Sequence, residues 1–580
     1  MESKATLEEI RHSLAHLLAA AVLKKYPETK LGIGPVIENG FYYDFLFPKP
    51  ITEEDLKDLE KEIQRLAKEN LEFRGEEITP AKAKKLFKDQ PFKLDLIKEF
   101  SKDGKKLTLY HTGDIFTDLC RGGHVKNTGE INPEGFKLSH LAGAYWRGSE
   151  KNPMLTRIYG LAFSNKKDLE EYLKIAEEAK KHDHRKLGKE LGLFTIIDEI
   201  GPGLPLFYPK GAILRRLVEN YITKLQEKNG YLPIWIPHIT KGELYKISGH
   251  LDKYDAMYPP MKLKGEADYY LKPMNCPHFM MLYKSLPHSY RELPIRYTAT
   301  TTNYRYEKSG ELTGLTRVRA LTQDDCHVFA RPDQIESEIN LMLDMIGEVY
   351  QDFGFKDFWV RISIHDPKNK DKYIGDKKIW EESEMALEKL IKNRGWKHEI
   401  GLGEAAFYGP KLDFILKDVL DREWQLSTIQ LDMNLPKRFE LEYTDGSGAK
   451  KQPIVIHRAI LGSTERFLAI LIEHFGGAFP LWLAPIQISV IPVSEKHLDY
   501  AKKIVGELQN YRVTTLEENE TLGKKIRSSE LQKIPYILVV GDKETAENSV
   551  NVRHYKKGVL GTMAMEKLVK EINGEIENKK

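Results

Sequence analysis

At 580 residues, 41% of them apolar and 30% charged, the chain has the composition of a soluble globular protein with room for about three or four domains. Its 89 basic and 86 acidic side chains give a formal charge of +3, so a polyanionic partner must be met by local basic patches and not by a global field. Three cysteines cannot build a disulfide framework, and the richest apolar stretch, Phe479 to Val493, is broken by three prolines and is too short to span a bilayer.

The opening MESKATLEEIRHSL is acidic and polar before any apolar run and lacks the pattern of a secretory signal, so a cytoplasmic location is expected. Within it, RHSLAH sets His12 and His16 four apart in an alanine-rich helical stretch, where both rings share one face. That spacing alone leaves a metal site, a catalytic pair and a plain core position open. Residues 1 to about 165 mix short helices with strand-like pieces such as KLTLYHTGDI and TRIYGLAF, which predicts an α+β domain. DLCRGGH then supplies Asp118, Cys120 and His124 beside two glycines. Joined to His12 and His16, these residues would suit either zinc or a hydrolytic pocket in which histidine moves a proton.

From Lys166 to about Phe194 the sequence is densely charged with helical apolar spacing, which predicts a solvated connecting helix. The next segment, to about 485, opens with a long amphipathic helix, AILRRLVENYITKLQEKNG, stopped at Gly230, and then a strand, YLPIWIPHI, with proline at a sheet edge. TTNYRYEKSG reads as strand and loop, VRALTQDDCHVFA as a strand, and QPIVIHRAILGSTERFLAILIEHF as a strand running into a helix. Strands so far apart favour a mixed, largely antiparallel sheet. Cys276, His327 and His457 are too widely spaced to make a recognisable metal motif, and each alone reads as core. Arg305, Arg317 and Arg319 stand near Glu307, Asp324 and Asp325, and Arg466 lies within GSTERF, early in a predicted helix; guanidinium groups suit phosphate oxygens, although a solvated ion-pair face has the same composition. There is no Gly-rich Lys-Ser/Thr phosphate loop, so nucleotide binding would need another architecture. From Ile486 onward short apolar strands alternate with amphipathic helices, predicting a small α/β domain.

Taken together, HSLAH, CRGGH, DHRKLGKELGLF, PMNCP, RYE, TRVRALTQDDCH, AFYGPK, WQLSTIQLD, HRAILGSTERF and PYILVVGDKE resemble the threonyl-tRNA synthetases, a family of class II aminoacyl-tRNA synthetases, over nearly the whole chain. The resemblance implies an α+β multidomain fold: an editing domain over 1–165, a helical linker over 166–193, a class II antiparallel-sheet catalytic domain over 194–485 and an α/β anticodon-binding domain over 486–580. It implies ligation of threonine to its tRNA with ATP and magnesium, and a homodimer built through the helix and strand around Pro237. It places Cys276, His327 and His457 on one zinc ion, whose open positions take threonine's amine and hydroxyl and thereby refuse valine. Arg305 is implied at the α-phosphate of ATP, Glu307 at the adenine, Arg466 at the γ-phosphate and Arg317 at the phosphates. Asp325, Tyr408 and Gln425 are implied around threonine, and Gln323, Lys411, Gln430 and His250 near the reacting groups or the terminal tRNA ribose.

Zinc separates serine from threonine poorly, since one methyl is worth roughly 1–3 kcal/mol, so a second, hydrolytic site is expected. By resemblance it is a metal-free pocket of His12, His16, Cys120 and His124 with Tyr43, Lys93 and Asp118, clearing seryl-tRNA. Asn519, Glu544 and Arg553 match base-reading positions, with Lys524 and Arg527 available for phosphates. Three features depart from the family pattern. No small extra domain is expected ahead of HSLAH, glycine stands in CRGGH where proline is common, and Cys326 replaces a small apolar residue, setting a thiol beside a zinc ligand and leaving open oxidation sensitivity or local competition for metal. A synthetase for proline or serine, and a catalytically silent RNA-binding relative, are the competing readings. The second conflicts with the presence of Arg305, Glu307, Arg466 and all three zinc candidates.

Overall fold

The computed structural model describes residues 5–102, 106–149, 151–418, 422–516 and 520–579. The chain divides into two compact units, Met1–Glu177 and Glu178–Lys580, within the charged helix Lys166–His182.

The first unit is built on the helix Leu7–Lys25. Thr6 starts it with a capping box, its hydroxyl accepting from the Glu9 N–H at 3.2 Å while the Glu9 carboxylate accepts from the Thr6 N–H at 2.8 Å. The residues from Ser13 to Val22 are all buried. An apolar helix of this kind must be covered on several sides, and burying each of Leu14, Leu17, Leu18 and Val22 contributes roughly 1.5–3 kcal/mol. The cover is an antiparallel sheet in which Gly40–Leu46 pairs with Met154–Ala162, and that strand with Phe136–Tyr145. A second sheet runs Phe73–Ile78, Leu107–Thr112, Phe116–Leu119, and it delivers Asp118 and the CRGGH loop to the helix face carrying His12 and His16.

The second unit holds an eight-stranded sheet in the order Leu232–Pro233, Ile295–Tyr304, Ala320–Ala330, Ile454–Ala459, Glu423–Asp432, Lys411–Lys417, Phe358–Ile364, His398–Leu402. Only the outermost pair at each edge is parallel, so the expected mixed and largely antiparallel sheet is what forms. The helices Pro209–Lys228, Ile335–Asp352 and Thr464–His474 supply buried side chains to the same core. Gly230 lies at φ +76°, a conformation suited to stopping the first of them. YLPIWIPHI is a shorter strand than its composition predicts. Only Leu232–Pro233 forms the paired strand, with one further bond from the Ile234 N–H to the Thr298 carbonyl at 2.9 Å.

Residues after Ile486 form a separate five-stranded sheet, Val513–Thr515, Ile488–Pro492, Tyr536–Val540, Ser549–His554, Gly558–Ala564. Its first three strands are parallel and its last two antiparallel, with helices Leu498–Glu507 and Met565–Glu577 packed on the sheet.

Candidate functional site

Strand register sorts the chemistry of the large sheet onto one face. Paired residues of antiparallel strands point the same way, and the pairs Tyr297 with His327, His327 with His457, His457 with Gln430, and Gln430 with Lys411 line up as a single row. Gln323 and Asp325 share that face because they lie four and two residues from His327. The intervening row, Cys326, Arg458, Ile429, Leu412 and Ile362, points into the core.

At the row's centre, the ligand atoms of Cys276, His327 and His457 lie within 4.8 Å of one another, all three residues buried. Cys276 arrives from outside the sheet as the first residue of the helix Cys276–Lys284. Burial drives the His327 imidazole well below its usual pKa, so it is neutral and able to ligate, and neither of its ring nitrogens has a hydrogen-bond partner. An imidazole buried without partners is costly, and a metal ion would satisfy it. The Nε2 of His457 lies 2.9 Å from the buried Asp432 carboxylate, an outer partner of the type that orients a ligating histidine. The donor set of one sulfur and two imidazoles therefore fits zinc with a position left open. Beside it, the Asp325 carboxylate accepts from Asn275 Nδ2 at 2.8 Å and stands 3.6 Å from His327 Nδ1, while Tyr408 donates to Gln430 and packs its ring 5.2 Å from that of His457.

The same face opens into a cleft of about 340 Å³ lined by Arg305, Glu307, Arg317, Gln323, Gln425 and Arg466, among others. Arg466 donates to the carbonyls of Thr316 (3.0 Å) and Gln425 (3.1 Å). Its pKa is lowered by burial, then by the neighbouring charges of Arg305 and Arg317. A guanidinium crowded by two others in a cleft is placed for an anion. Ser463, which caps the helix Thr464–His474, lines the cleft too, so that helix presents its positive end there. Gln425, expected at threonine, lines this cleft beside the arginines.

Two buried groups here had no signal in the sequence. Asp413 accepts from Ser363 (2.9 Å), Lys411 (2.6 Å), Gln425 (2.8 Å) and Thr428 (3.1 Å). Gln425 and Thr428 are three apart and would alternate faces, but an irregularity in the pairing opposite Asp413 and Ile415 turns both toward one carboxylate. Asp413→Ala should cost about 3 kcal/mol in denaturant unfolding, because it strands the Lys411 ammonium; a loss under about 0.5 kcal/mol would remove the hub role. Lys272, fully buried with its pKa lowered to about 8 by burial, donates to Asn275 Oδ1 (2.8 Å) and Thr301 (2.9 Å), so Asn275 must turn its NH₂ toward Asp325. His250 is buried on Ser248, its pKa depressed to about 4 by burial and by the charges of His457, Arg305 and Arg438.

The first unit carries its own cavity, about 460 Å³, lined by His12, His16, Tyr43, Lys93, Asp118 and Cys120 among others. Cys120 Sγ lies 3.4 Å from His12 Nε2 and 3.3 Å from His124 Nε2, and the His12 and His124 rings stack at 4.1 Å. Lys93, only 1% exposed, lies 2.5 Å from Asp118 and 3.0 Å from the Tyr43 hydroxyl, which donates to Asp118 at 2.5 Å. Burial lowers the pKa of His12, His16 and His124, the last to about 2, and pushes the Cys120 thiol up to about 11. All four are neutral near pH 7. The loop runs through Gly122 at φ +98° and Gly123 at φ +83°, conformations that proline cannot adopt.

Three family models match the chain: the tRNA synthetase class II core domain (G, H, P, S and T) over residues 261–475, the anticodon binding domain over 487–575, and the threonyl and alanyl tRNA synthetase second additional domain over 107–159. The threonine–tRNA ligase of Rubrobacter xylanophilus is 49% identical over 580 residues, covering 99% of this chain and 90% of its own. The chain belongs to the threonine–tRNA ligase family. The crystal structure of the RNA binding domain of threonyl-tRNA synthetase from Cryptosporidium parvum matches at TM-score 0.64 and 36% identity, over 68% of this chain and 98% of that one. Giardia lamblia prolyl-tRNA synthetase, 16% identical, shares the fold at TM-score 0.54 over 70% and 80% of the two chains.

Cys326, next to His327 in sequence, sits in the core row on the opposite face of its strand, fully buried and directly across from Arg458. Adjacency in sequence is opposition in a strand. Arg553 and Glu544 lie on the C-terminal domain, Arg553 on the strand Ser549–His554 and 3.6 Å from Glu530, Glu544 on the short helix Asp542–Glu547 accepting from the Gly541 N–H at 3.1 Å. Asn519 lies outside the described residues.

Proposed function

We propose that the chain activates threonine with ATP, transfers it to the 3′ ribose of threonine tRNA, and hydrolyses seryl-tRNA at a second site. Residues 1–165 would edit, 166–193 link, 194–485 catalyse and 486–580 hold the anticodon. The observation that carries this reading is the placement of a soft, buried ligand trio and an arginine-lined cleft on one face of one antiparallel sheet.

Cys276, His327 and His457 would hold zinc, which when bound supplies a Lewis-acidic centre for threonine's amine and hydroxyl. Asp325, fixed by Lys272 through Asn275, faces the amine, and the ring of Tyr408 closes the pocket beside His457. Threonine's carboxylate oxygen then bonds to the α-phosphorus of magnesium-bound ATP as the bond to pyrophosphate breaks. Arg305 and Arg317 stabilise the charge developing there, and the departing pyrophosphate carries its charge toward Arg466 and the start of the helix Thr464–His474. In the second step the ribose hydroxyl attacks the acyl carbon and AMP leaves. His250, held neutral, is the imidazole available to take the hydroxyl proton, with Gln323, Gln430 and Lys411 on the reacting groups.

A homodimer and a cytoplasmic location complete the reading. Trp235 is 80% and Leu232 55% exposed, an apolar surface beside the edge strand that a second copy would cover. No helix among the described residues is long and apolar enough to cross a membrane. Threonine-dependent exchange between ATP and pyrophosphate, followed by a seryl-tRNA hydrolysis assay, tests the whole proposal; exchange driven by proline or serine in place of threonine would overturn it.

For the C-terminal domain, Arg553→Ala should weaken charging of threonine tRNA by about 1–3 kcal/mol while leaving amino-acid activation unchanged, since a base contact acts only when RNA is bound. Equal losses in both assays would exclude base reading by Arg553.

A further inference from the structure

The motif DHRKLGKELGLF belongs to none of the sites above, yet its histidine is tied to the nucleotide cleft at two points. His184, buried at the start of the helix His184–Glu190, has its Nδ1 2.7 Å from Glu473 Oε1, and its own backbone N–H donates to that oxygen at 3.0 Å. Its Nε2 accepts from the Leu315 N–H at 3.1 Å. A backbone N–H can only donate, so Nε2 is unprotonated and the ring proton sits on Nδ1, facing the carboxylate. Asp183, His184 and Glu473 lie close enough together to suggest a metal site, but these hydrogen bonds already use both ring nitrogens.

Both partners lead to the arginines. Glu473 lies near the end of the helix Thr464–His474, whose first turn carries Arg466. Leu315 lies in the tight loop closed between Thr313 and Arg317, where the Thr316 carbonyl accepts from Arg466 Nε at 3.0 Å and Arg317 pairs with Glu307 at 3.0 Å. The loop meets the ring closely at Gly314, which lies at φ +48° and where a Cβ would come within 2.1 Å of His184 Nε2.

We propose that His184 is a positioning residue for ATP: by holding the Leu315 N–H and Glu473 together it fixes the loop and the helix that aim Arg317 and Arg466 into the cleft. The proposal rests on reading that cleft as the ATP site. Its test uses the full chain and two substitutions. His184→Asn retains a donor at the place of Nδ1 but lacks the atom that accepts from Leu315, whereas the longer amide of His184→Gln can reach the place of Nε2.

In ATP–pyrophosphate exchange, the asparagine variant should raise the KM for ATP about tenfold, the effect of one hydrogen bond, with the KM for threonine and bound zinc unchanged. The glutamine variant should recover most of that loss. A folded asparagine variant with an ATP KM within about twofold of wild type overturns the proposal. So does a fall in melting temperature that lowers use of ATP and threonine equally, which is what a merely structural histidine would give. Should the asparagine variant fail to fold, Glu473→Gln decides in its place: a raised ATP KM with an unchanged threonine KM supports the proposal, since the carboxylate that holds the His184 ring and its N–H is then weakened, and an unchanged ATP KM in the folded variant overturns it. Wild-type protein that binds no ATP would overturn the underlying reading of the cleft, a result separable from these because it needs no variant.

Discussion

Cys276→Ser should abolish stoichiometric zinc and threonine activation together. The three candidate ligands converge from a helix start and two paired strands, so their geometry is set by the sheet register and not by a flexible loop. Without a metal the burial of Cys276, reinforced by the charges of Asp325 and Asp432, pushes its thiol well above the usual range. A bound cation reverses that balance, because the thiolate is the ligand. Serine offers no comparable anion at neutral pH, and two imidazoles alone hold zinc weakly.

A graded companion is Asp432→Ala, which leaves all three ligands but removes the carboxylate against His457 Nε2; such outer partners are worth about 10–100-fold in metal affinity. Metal analysis of the purified proteins reads both effects independently of catalysis, and melting temperature checks that the variants are folded. Wild-type protein that is free of zinc and fully active would sink the assignment.

The sequence makes the strands themselves legible because alternation is strong in VRALTQDDCHVFA and IVIHRA, and from those strands the face shared by Gln323, Asp325 and His327 follows by counting in twos. Which strand lies beside which is a different matter. Nothing local in IVIHRA or TQDDCH says that His457 pairs with His327; long-range register fixes it, and only resemblance to a family anticipated it. The role of Asp413 is illegible in the sequence for a sharper reason. The pairing irregularity opposite it breaks the count by which Gln425 and Thr428 would be assigned to opposite faces. Lys272 reads as an ordinary surface lysine in YYLKPMNC, and its burial depends on Asn275 and Thr301, one of them 29 residues away. His184 sits in a charged, helical stretch whose composition predicts solvent, whereas its carboxylate partner lies 289 residues further along the chain.

Replacing His12 or Cys120 with alanine should remove seryl-tRNA hydrolysis, on the order of a hundredfold for His12, and leave threonine activation intact. Both residues lie in the unit that ends at Glu177, and every residue proposed above for ATP or for the zinc of the large sheet lies in the other. The electrostatics of the pocket refine how it would act. With His12, His16 and His124 all depressed by burial and the Cys120 thiol raised to about 11, the pocket holds no imidazolium and no thiolate near neutrality. A thiol raised in this way is a poor nucleophile near neutral pH, and the neutral ring nitrogens and thiol would be suited to hold and orient a water against the ester. Lys93, paired with Asp118 beside Tyr43, would under this proposal serve the carbonyl oxygen where charge develops.

It follows that deacylation should show no histidine-type titration between about pH 6 and 8, since imidazoles whose pKa is lowered stay neutral across that range. The decisive comparison is seryl-tRNA deacylation by wild type and by His12→Ala and Cys120→Ala at equal zinc content, with threonine-dependent exchange measured on the same samples. Undiminished deacylation in both variants would return the cluster to a packing role. A loss of exchange matching the loss of deacylation would show that the two activities are not separable.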